Sequence, residues 1–313
     1  MPNLNKTTVY TIKNFLLTFG ISALYLLLCC VLIGYKTEQS ILIILFNVLY
    51  YLTSGTRKFI LAFSVFIVFW VIFDFMKAFP NYKFSQVHIK DIYNLDKSWF
   101  GIFDSGKKVS LNEYFYAHQK IFLDILAGCF YLCWMPVPIL FGIYLFYTKK
   151  RAGYINFALT FLWVNLIGFV IYYVCPSAPP WYVQLHGFAF NPHTPGNTAG
   201  LGRFDAYFHL NIFHGLYAQS SNVFAAMPSL HASYPTVTLY HAIKNKQRWY
   251  AKIFFAIIML GIWFTAVYAS HHYLLDVLAG IACAVVGIIS YNWLYKKVNF
   301  VHKFVDAYVK LVS

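Results

Sequence analysis

The stretch SHHYLLDVLAGIACAVVGIISYNWL, residues 270–294, is apolar over most of its length. A helix that crosses a membrane needs about 20 mostly apolar residues. Three ionisable residues, His271, His272 and Asp276, stand near the N-terminal end of this stretch. Such groups are costly at membrane depth and usually have a function. The stretch therefore predicts a membrane helix that carries reactive groups at one end.

The composition of the whole chain is typical of a membrane protein. Of its 313 residues, 60% are hydrophobic and 11% are charged, whereas soluble domains contain about 25% charged residues. The formal charge of +14 would suggest nucleic-acid binding in a soluble domain. Here Lys and Arg cluster between apolar runs, as cytoplasmic anchors do, so we expect no nucleic-acid partner. The six cysteines lack the spacing of a zinc site or disulfide framework and are interpreted as small apolar residues.

Eight apolar runs predict an all-α, polytopic membrane protein. The runs are 15–35, 39–54, 59–79, 120–147, 154–175, 228–243, 252–270 and 272–295. Basic clusters in the short loops between them should face the cytoplasm, and a cytoplasmic N-terminus then requires the short run 39–54 to cross. The long polar segments 80–118 and 176–227 consequently fall on the external side, together with the histidines. The mixed charges of 80–118 are typical of an amphipathic surface structure.

We expect a single integral membrane domain over residues 1–313. Residues 1–58 would form an N-terminal transmembrane extension, residues 59–295 the catalytic core, and residues 296–313 a short cytoplasmic tail. The expected location is a bacterial inner membrane with the active site facing the periplasm, or the Golgi lumen if the chain is eukaryotic.

A second polar stretch, AAMPSLHAS, covers residues 225–233. Pro228 suits the first position of a helix, which would leave His231 in the opening turn. Free backbone N–H groups of such a turn favour an anion, and phosphate is the natural candidate. His272 and Asp276 are four residues apart, so on a helix they share a face, and the carboxylate can orient the imidazole. We therefore expect both histidines to meet at one phosphate on the external side.

A less specific interpretation exists for each polar residue taken alone. A single histidine at a helix end is more often hydrogen-bonded or interfacial than catalytic, and His241 and His302 are interpreted in this way. Asp74 and Asp124 stand singly near helix ends and are interpreted as structural. The combination of Pro-Ser-Leu-His with a later His-x-x-x-Asp, both at external helix starts, favours a reactive site.

The motifs PSLH and HHYLLD resemble the second and third motifs of the type 2 phosphatidic acid phosphatase (PAP2) superfamily, whose members use a histidine nucleophile without metal. Four further stretches make the chain similar to the Aur1-type inositol phosphorylceramide synthases within it. These are HIKDIYNLDKSWFGIF (88–103), LNEYF (111–115), CPSAPPWY (175–182) and TPGNTAGLGRFD (194–205). The resemblance implies a PAP2-like six-helix core with additional N-terminal helices.

The resemblance has two departures. Thr265 and Ala266 stand where ordinary members carry Ser-Arg ahead of the nucleophilic histidine, and the first motif, Lys-x6-Arg-Pro, is absent. Because the phosphoryl transition state needs positive charge on its oxygens, Arg203 becomes the candidate for the missing arginine. Asp205 would fix Arg203 or touch the headgroup. A simple ion pair within the loop is the alternative for these two residues.

The resemblance further implies transfer of phosphoinositol from phosphatidylinositol to (dihydro)ceramide, with release of diacylglycerol. His272 would become a phosphohistidine oriented by Asp276, while His231 would act as acid and then as base. His271 would have a supporting role at best. No cofactor or metal is expected. The expected substrate-binding residues are Arg203, Asp205, Ser229, Trp181 and Tyr268; for the aromatic ones, an interfacial belt is the alternative.

Two other functions stay open at this point. A PAP2-type lipid phosphate phosphatase needs the same triad, with water instead of a lipid hydroxyl resolving the phosphohistidine. A transporter could use the histidines to relay protons, but transporter sites usually lie near the membrane midplane, whereas these residues gather at one face. The motifs do not identify a partner subunit.

Overall fold

The computed structural model describes residues 10–218 and 222–313. Those residues are mostly helical with one short hairpin, which confirms the predicted all-α class. The helices are α1 (Ile12–Leu32), α2 (Thr37–Leu52), α3 (Ser54–Phe75), α4 (Lys90–Phe100), α5 (Leu111–Ala117), α6 (Ile121–Tyr131), α7 (Pro136–Tyr147), α8 (Arg151–Val174), α9 (Pro180–His186), α10 (Gly202–Phe208), α11 (Ile212–Ala218), α12 (Leu230–Lys244), α13 (Trp249–Tyr268), α14 (Leu274–Lys297) and α15 (Asn299–Val312). The parts of the predicted segments 1–58 and 176–227 that fall on residues 1–9 and 219–221 lie outside the described residues.

Helices of membrane-spanning length occupy most of the predicted runs. Within the described chain, six are long and apolar enough to cross a membrane: Ile12–Leu32, Ser54–Ala78, Ile121–Tyr147, Arg151–Val174, Trp249–Tyr268 and Leu274–Lys297. The protein is therefore an integral membrane protein. The remaining two runs are also helical but shorter, since α2 has 16 residues and α12 has 15. The count of eight crossings stays a prediction.

The predicted run 120–147 is interrupted. Residues 132–135 form turns between α6 and α7, and α7 begins at Pro136. A proline has no backbone N–H and fits the first position of a helix but not its interior. Pro136 therefore starts a new helix within one apolar span.

The chain divides into two compact units, residues 1–79 with 304–313, and residues 80–303. In the first unit, α2 packs against both α1 and α3, and Tyr308 Oη donates a hydrogen bond to the Leu61 carbonyl at 2.6 Å. Large apolar side chains of α1 and α2 are exposed, as expected for surfaces that face lipid. The predicted domain boundaries differ from these units and stay a prediction.

The second unit is built around the short helix α12. This helix packs against α8, α13 and α14, and its polar residues Ser233 and Thr238 are buried, which an interior position in a helix bundle tolerates. Helix α14 crosses very close to the start of α12, because a Cβ atom on Gly280 would lie 2.1 Å from the Ser229 carbonyl oxygen. This close approach brings the N-terminal ends of α12 and α14 together.

The polar segments of the second unit are ordered structures. Segment 80–118 contains α4, α5 and a hairpin of β1 (Ile102–Asp104) and β2 (Lys107–Val109), in which Ile102 faces Val109. The expectation that its acidic residues lie on the surface is wrong for Asp96, which is fully buried. It is buried because its carboxylate accepts a hydrogen bond from a backbone N–H of α14.

Candidate active site

His231 lies in the first turn of α12, as predicted. The helix begins at Leu230, and Ser229 is its N-cap, with Ser229 Oγ accepting a hydrogen bond from the Ala232 N–H at 3.3 Å. The expectation that Pro228 occupies the first helical position is therefore wrong. Serine is a better N-cap than most residues, so the helix starts after Ser229 and Pro228 precedes the cap.

His272 lies in the loop before α14. Helix α14 begins at Leu274, and Asp276 Oδ2 accepts a hydrogen bond from the Tyr273 N–H at 2.8 Å. The expectation that His272 and Asp276 share a helical face is wrong, because this cap places the start of the helix after the histidine. His272 Nδ1 is 3.8 Å from Asp276 Oδ2, too long for a hydrogen bond but close enough for the carboxylate to stabilise an imidazolium.

The carbonyl of Ala226 orients the imidazole of His272. It lies 2.9 Å from His272 Nδ1, and because a carbonyl can only accept, Nδ1 carries the proton. Nε2 of neutral His272 is then the atom with a free electron pair. That atom lies 3.1 Å from Nδ1 of His231, so the structure brings together two histidines from distant segments.

The two histidines line a cavity of about 100 Å³. His271 and Trp181 contribute to the same wall. The backbone N–H of Trp181 donates to the Ser270 carbonyl at 3.0 Å, which ties α9 to the histidine loop. Asn197 and Asn222 also line the cavity. The site therefore combines imidazoles, amides and an indole around one small cavity.

His271 is held in a different way from its neighbour. Its ring stacks against Tyr131 and Tyr217, with ring centroids 5.4 Å and 4.6 Å away, and its Nε2–H donates to the Thr198 carbonyl at 2.9 Å. Burial, reinforced by the nearby His272, lowers the pKa of His271 to about 3. The residue is therefore a neutral part of the cavity wall. Like His272, it precedes the start of α14.

Arg203 is held by residues other than the predicted one. Its Nε donates to Asp124 Oδ1 at 2.6 Å, and the same oxygen accepts from Tyr268 Oη at 2.8 Å. The guanidinium carbon lies 5.5 Å from the Tyr268 ring centre. The expected pairing of Arg203 with Asp205 is thus wrong. Asp124, interpreted as a single structural residue, is the partner.

Asp205 pairs with His214 instead. Its Oδ2 accepts hydrogen bonds from both the backbone N–H and the Nδ1 of His214, each at 3.0 Å. Arg203 and Asp205 are two residues apart on α10, and side chains at that spacing do not face each other on a helix.

Comparison with known proteins agrees with this arrangement. Residues 90–290 match the sequence model of the PAP2 superfamily. The chain belongs to the PAP2 superfamily. It is 46% identical over 301 residues to the phosphoinositol dihydroceramide synthase of Bacteroides thetaiotaomicron, an alignment that covers 96% of this chain and 99% of the relative.

Fungal PAP2 relatives are more distant and longer. Identity to the inositol phosphorylceramide synthase catalytic subunit AUR1 of Saccharomyces cerevisiae is 28% over 251 residues, covering 75% of this chain and 59% of the relative. Identity to the corresponding subunit aur1 of Schizosaccharomyces pombe is 31% over 177 residues, covering 52% of this chain and 39% of the relative. No solved structure matches the chain.

The PAP2 departures Thr265 and Ala266 lie in the last turn of α13, just before the histidine loop. The Ala266 carbonyl accepts the N–H groups of both His271 and His272, at 3.1 and 2.9 Å, and so closes the histidine loop. Thr265 Oγ1 donates to the Gly261 carbonyl at 2.8 Å. Neither side chain is cationic, which leaves the site without the usual PAP2 arginine.

The remaining predicted site residues stand behind the cavity wall. Ser229 caps α12, Tyr268 supports Asp124, and Arg203 is not among the residues that line the cavity. Their substrate-binding roles, like the catalytic roles of His231, His272 and Asp276, stay predictions. Across residues 10–218 and 222–313, no group of three or more His, Cys, Asp or Glu side chains is arranged to hold a metal ion.

Sequence reasoning missed two contributors to this PAP2 site. The Ala226 carbonyl orients His272 through a contact between residues 46 positions apart, and Asp124 reaches Arg203 across 79 positions. A backbone carbonyl leaves no signal in residue identity. Asp124 could have been found from the sequence, because a lone carboxylate at the end of an apolar run requires a partner.

Proposed function

We propose that this PAP2 enzyme transfers phosphoinositol from phosphatidylinositol to (dihydro)ceramide and releases diacylglycerol. The observation that carries the proposal is the 3.1 Å approach of His231 Nδ1 to His272 Nε2 in the cavity. The near full-length likeness to a phosphoinositol dihydroceramide synthase supports the choice of substrates.

In the first half-reaction, His272 Nε2 attacks the phosphorus of phosphatidylinositol. An N–P bond forms, and the P–O bond to diacylglycerol breaks. With the anionic donor bound, His231 is an imidazolium; it gives one proton to the departing oxygen and becomes neutral. The Ala226 carbonyl keeps the other imidazole proton on Nδ1, and the Asp276 carboxylate at 3.8 Å stabilises the positive charge that the ring gains. The donor has to displace the hydrogen bond between the two histidines.

In the second half-reaction, His231 accepts the proton of the ceramide hydroxyl. The hydroxyl oxygen attacks phosphorus, and the N–P bond to His272 breaks, which returns both histidines to their starting states. Proximity of acid, base and nucleophile within one cavity makes each step effectively unimolecular. Arg203 is the proposed source of positive charge for the phosphoryl oxygens, in place of the absent PAP2 arginine.

The membrane setting favours an external active site. Helix α12 starts at the histidines and ends at the basic cluster of Lys244, Lys246 and Arg248. Since short basic loops remain cytoplasmic, the histidines belong at the opposite face. We therefore propose a bacterial inner-membrane enzyme whose site faces the periplasm.

The test is an acceptor-dependent lipid assay. Purified protein in detergent is incubated with phosphatidylinositol, with and without dihydroceramide, and lipids are identified by mass spectrometry. With the acceptor present, we expect inositol phosphoryldihydroceramide and diacylglycerol in equal amounts over many turnovers; without it, we expect no new lipid and no more diacylglycerol than there is enzyme. Water-soluble inositol phosphate, released at the same rate with or without acceptor, would instead identify a phosphatase.

A further inference from the structure

Asn112, on the external helix α5, reaches the loop that carries His272. Its side chain is buried, and its Nδ2 donates to two backbone carbonyls, that of Val267 at 2.8 Å and that of His272 at 3.0 Å. An amide nitrogen has two protons, so these bonds use its whole donor capacity. A single side chain therefore joins the end of α13 to the predicted nucleophile.

Asp96, on the external helix α4, holds the same loop from its other end. Its side chain is fully buried, and Oδ1 accepts a hydrogen bond from the Leu275 N–H at 3.0 Å, in the first turn of α14. A carboxylate also complements the positive end of the helix dipole there. The loop between Val267 and Leu275 is thus fixed at both ends by segment 80–118.

The two holding residues stand on helices that are tied to each other. Glu113 caps α5 by accepting the Ser110 N–H at 2.7 Å, and it accepts a hydrogen bond from Tyr93 Oη of α4 at 2.6 Å. Lys97 of α4 lies 3.2 Å from the same carboxylate. This network joins α4 to α5.

The histidine loop needs such a support. It has no regular secondary structure between Tyr268 and Leu274, and Ser270 has a positive φ of 59°. Its two histidine N–H groups share one acceptor, the Ala266 carbonyl, and the Ser270 N–H donates to the Val267 carbonyl. Functional groups on a loop keep a precise position only when surrounding residues fix the backbone.

We propose that Asn112 and Asp96 are positioning residues that fix the backbone of the His272 loop for attack on phosphorus. The proposal rests on the nucleophilic role proposed for His272. Neither residue lines the cavity, and the hydrogen bonds of both side chains go to backbone groups of the loop and of the helices beside it. Misplacement of a reacting atom by about 1 Å can lower the rate by about 10²-fold, so two hydrogen bonds remote from the chemistry have a large effect.

Isosteric substitutions at the two positions should have opposite outcomes. Asn112→Asp keeps the shape but replaces the double donor by a carboxylate facing two carbonyls; we expect kcat to fall at least about tenfold, with unchanged KM for both lipids. Asp96→Asn keeps an acceptor for the Leu275 N–H, so we expect kcat within about twofold of wild type. Asp96→Ala, which has no acceptor, should lower kcat as Asn112→Asp does. A role in packing alone would not separate isosteric variants in this way.

Hydrogen exchange measures the loop without reference to turnover. Asn112→Asp and Asp96→Ala should accelerate amide exchange in peptides covering 266–276, whereas Asp96→Asn should not. Asp91→Asn, on the exposed side of α4, is the control for charge. Asn81→Asp is the control for lost buried donors, because Asn81 Nδ2 donates to the carbonyls of Tyr172 and Phe224 instead. Both controls should leave exchange in 266–276 unchanged.

Two results would overturn the proposal. One is Asn112→Asp with wild-type exchange in 266–276; the other is faster exchange with unchanged kcat. If wild-type protein makes no transfer product, the proposed function fails, but the exchange experiment still decides whether Asn112 and Asp96 hold the loop.

Discussion

The position of Arg203 should depend on Asp124. The Nε–Oδ1 contact of 2.6 Å fixes one edge of the guanidinium, and Tyr268 fixes the carboxylate from the other side. Among the residues that the structure describes, Arg203 Nη2 is a buried nitrogen without a hydrogen-bond partner. The proposed role of Arg203 would supply this donor with an acceptor, a phosphoryl oxygen. Asp124→Asn preserves the volume of the carboxylate while removing its charge.

The magnitude follows from the exposure of the pair. A hydrogen bond to a charged group contributes about 1.5–3 kcal/mol. The Arg203 and Asp124 side chains are 25% and 10% exposed, so solvent screening favours the lower end, about 1.5 kcal/mol. If Arg203 acts in the transition state, this corresponds to about a tenfold fall in kcat. Arg203→Ala removes the donor itself and should cost about 10²- to 10³-fold.

A double-mutant cycle on kcat for lipid transfer tests this dependence. Because Asp124 acts through Arg203, the double variant Arg203→Ala with Asp124→Asn should be no slower than Arg203→Ala alone. Effects that multiply would refute the reasoning. Asp74→Asn is the matched control, since Asp74 pairs with Lys77 at the same 2.6 Å distance and a similar exposure, and its kcat should equal that of wild type.

Four further predictions follow from the site and its supports. His272→Ala should abolish transfer and hydrolysis while size-exclusion chromatography in detergent shows a folded protein; retained activity would exclude this nucleophile. Activity should survive EDTA, whereas complete loss restored by one divalent cation would indicate metal-assisted chemistry. Gly280→Ala should lower the free energy of unfolding by about 1–3 kcal/mol and should also lower activity, because the new Cβ meets the Ser229 carbonyl. Gly20→Ala is the control; its Cβ meets no atom within 4 Å, so both stability and activity should be unchanged. Burial raises the pKa of Asp96 to about 6, above the value of about 3.9 expected in the unfolded chain. The free energy of unfolding should therefore fall as pH rises from about 4 to about 6. In denaturation experiments, Asp96→Asn should remove this fall.

The membrane helices and the histidine pair could be predicted from the sequence because both depend on local pattern. Lipid requires long apolar helices, and PSLH and HHYLLD each stand at the polar end of an apolar run, which puts His231 in the first turn of α12 and His272 just before α14. The exact starts could not be predicted, since Ser229 and Asp276 select them through individual hydrogen bonds.

Contacts between segments that are distant in the chain could not be predicted from the local sequence pattern. Asp205 is close to Arg203 in the sequence, but its carboxylate binds His214. Arg203 binds Asp124, which is close to it only in the fold. Asn112 and Asp96 lie among charged residues that are typical of a surface helix, and only the packing of α4 and α5 against the histidine loop gives them buried partners. Such pairings depend on the tertiary arrangement, which residue types alone do not specify.

The most direct test of the account is to isolate the covalent intermediate. Protein is incubated with phosphatidylinositol labelled in the inositol ring and without acceptor, digested at neutral pH, and analysed by peptide mass spectrometry. The account predicts a phosphoinositol group on the peptide containing His272, absent from His272→Ala, and a chase with dihydroceramide should move the label into a new lipid. Unlabelled His272 peptide, in a preparation that forms lipid product only when donor and acceptor are present together, would contradict it and indicate direct transfer between the two lipids.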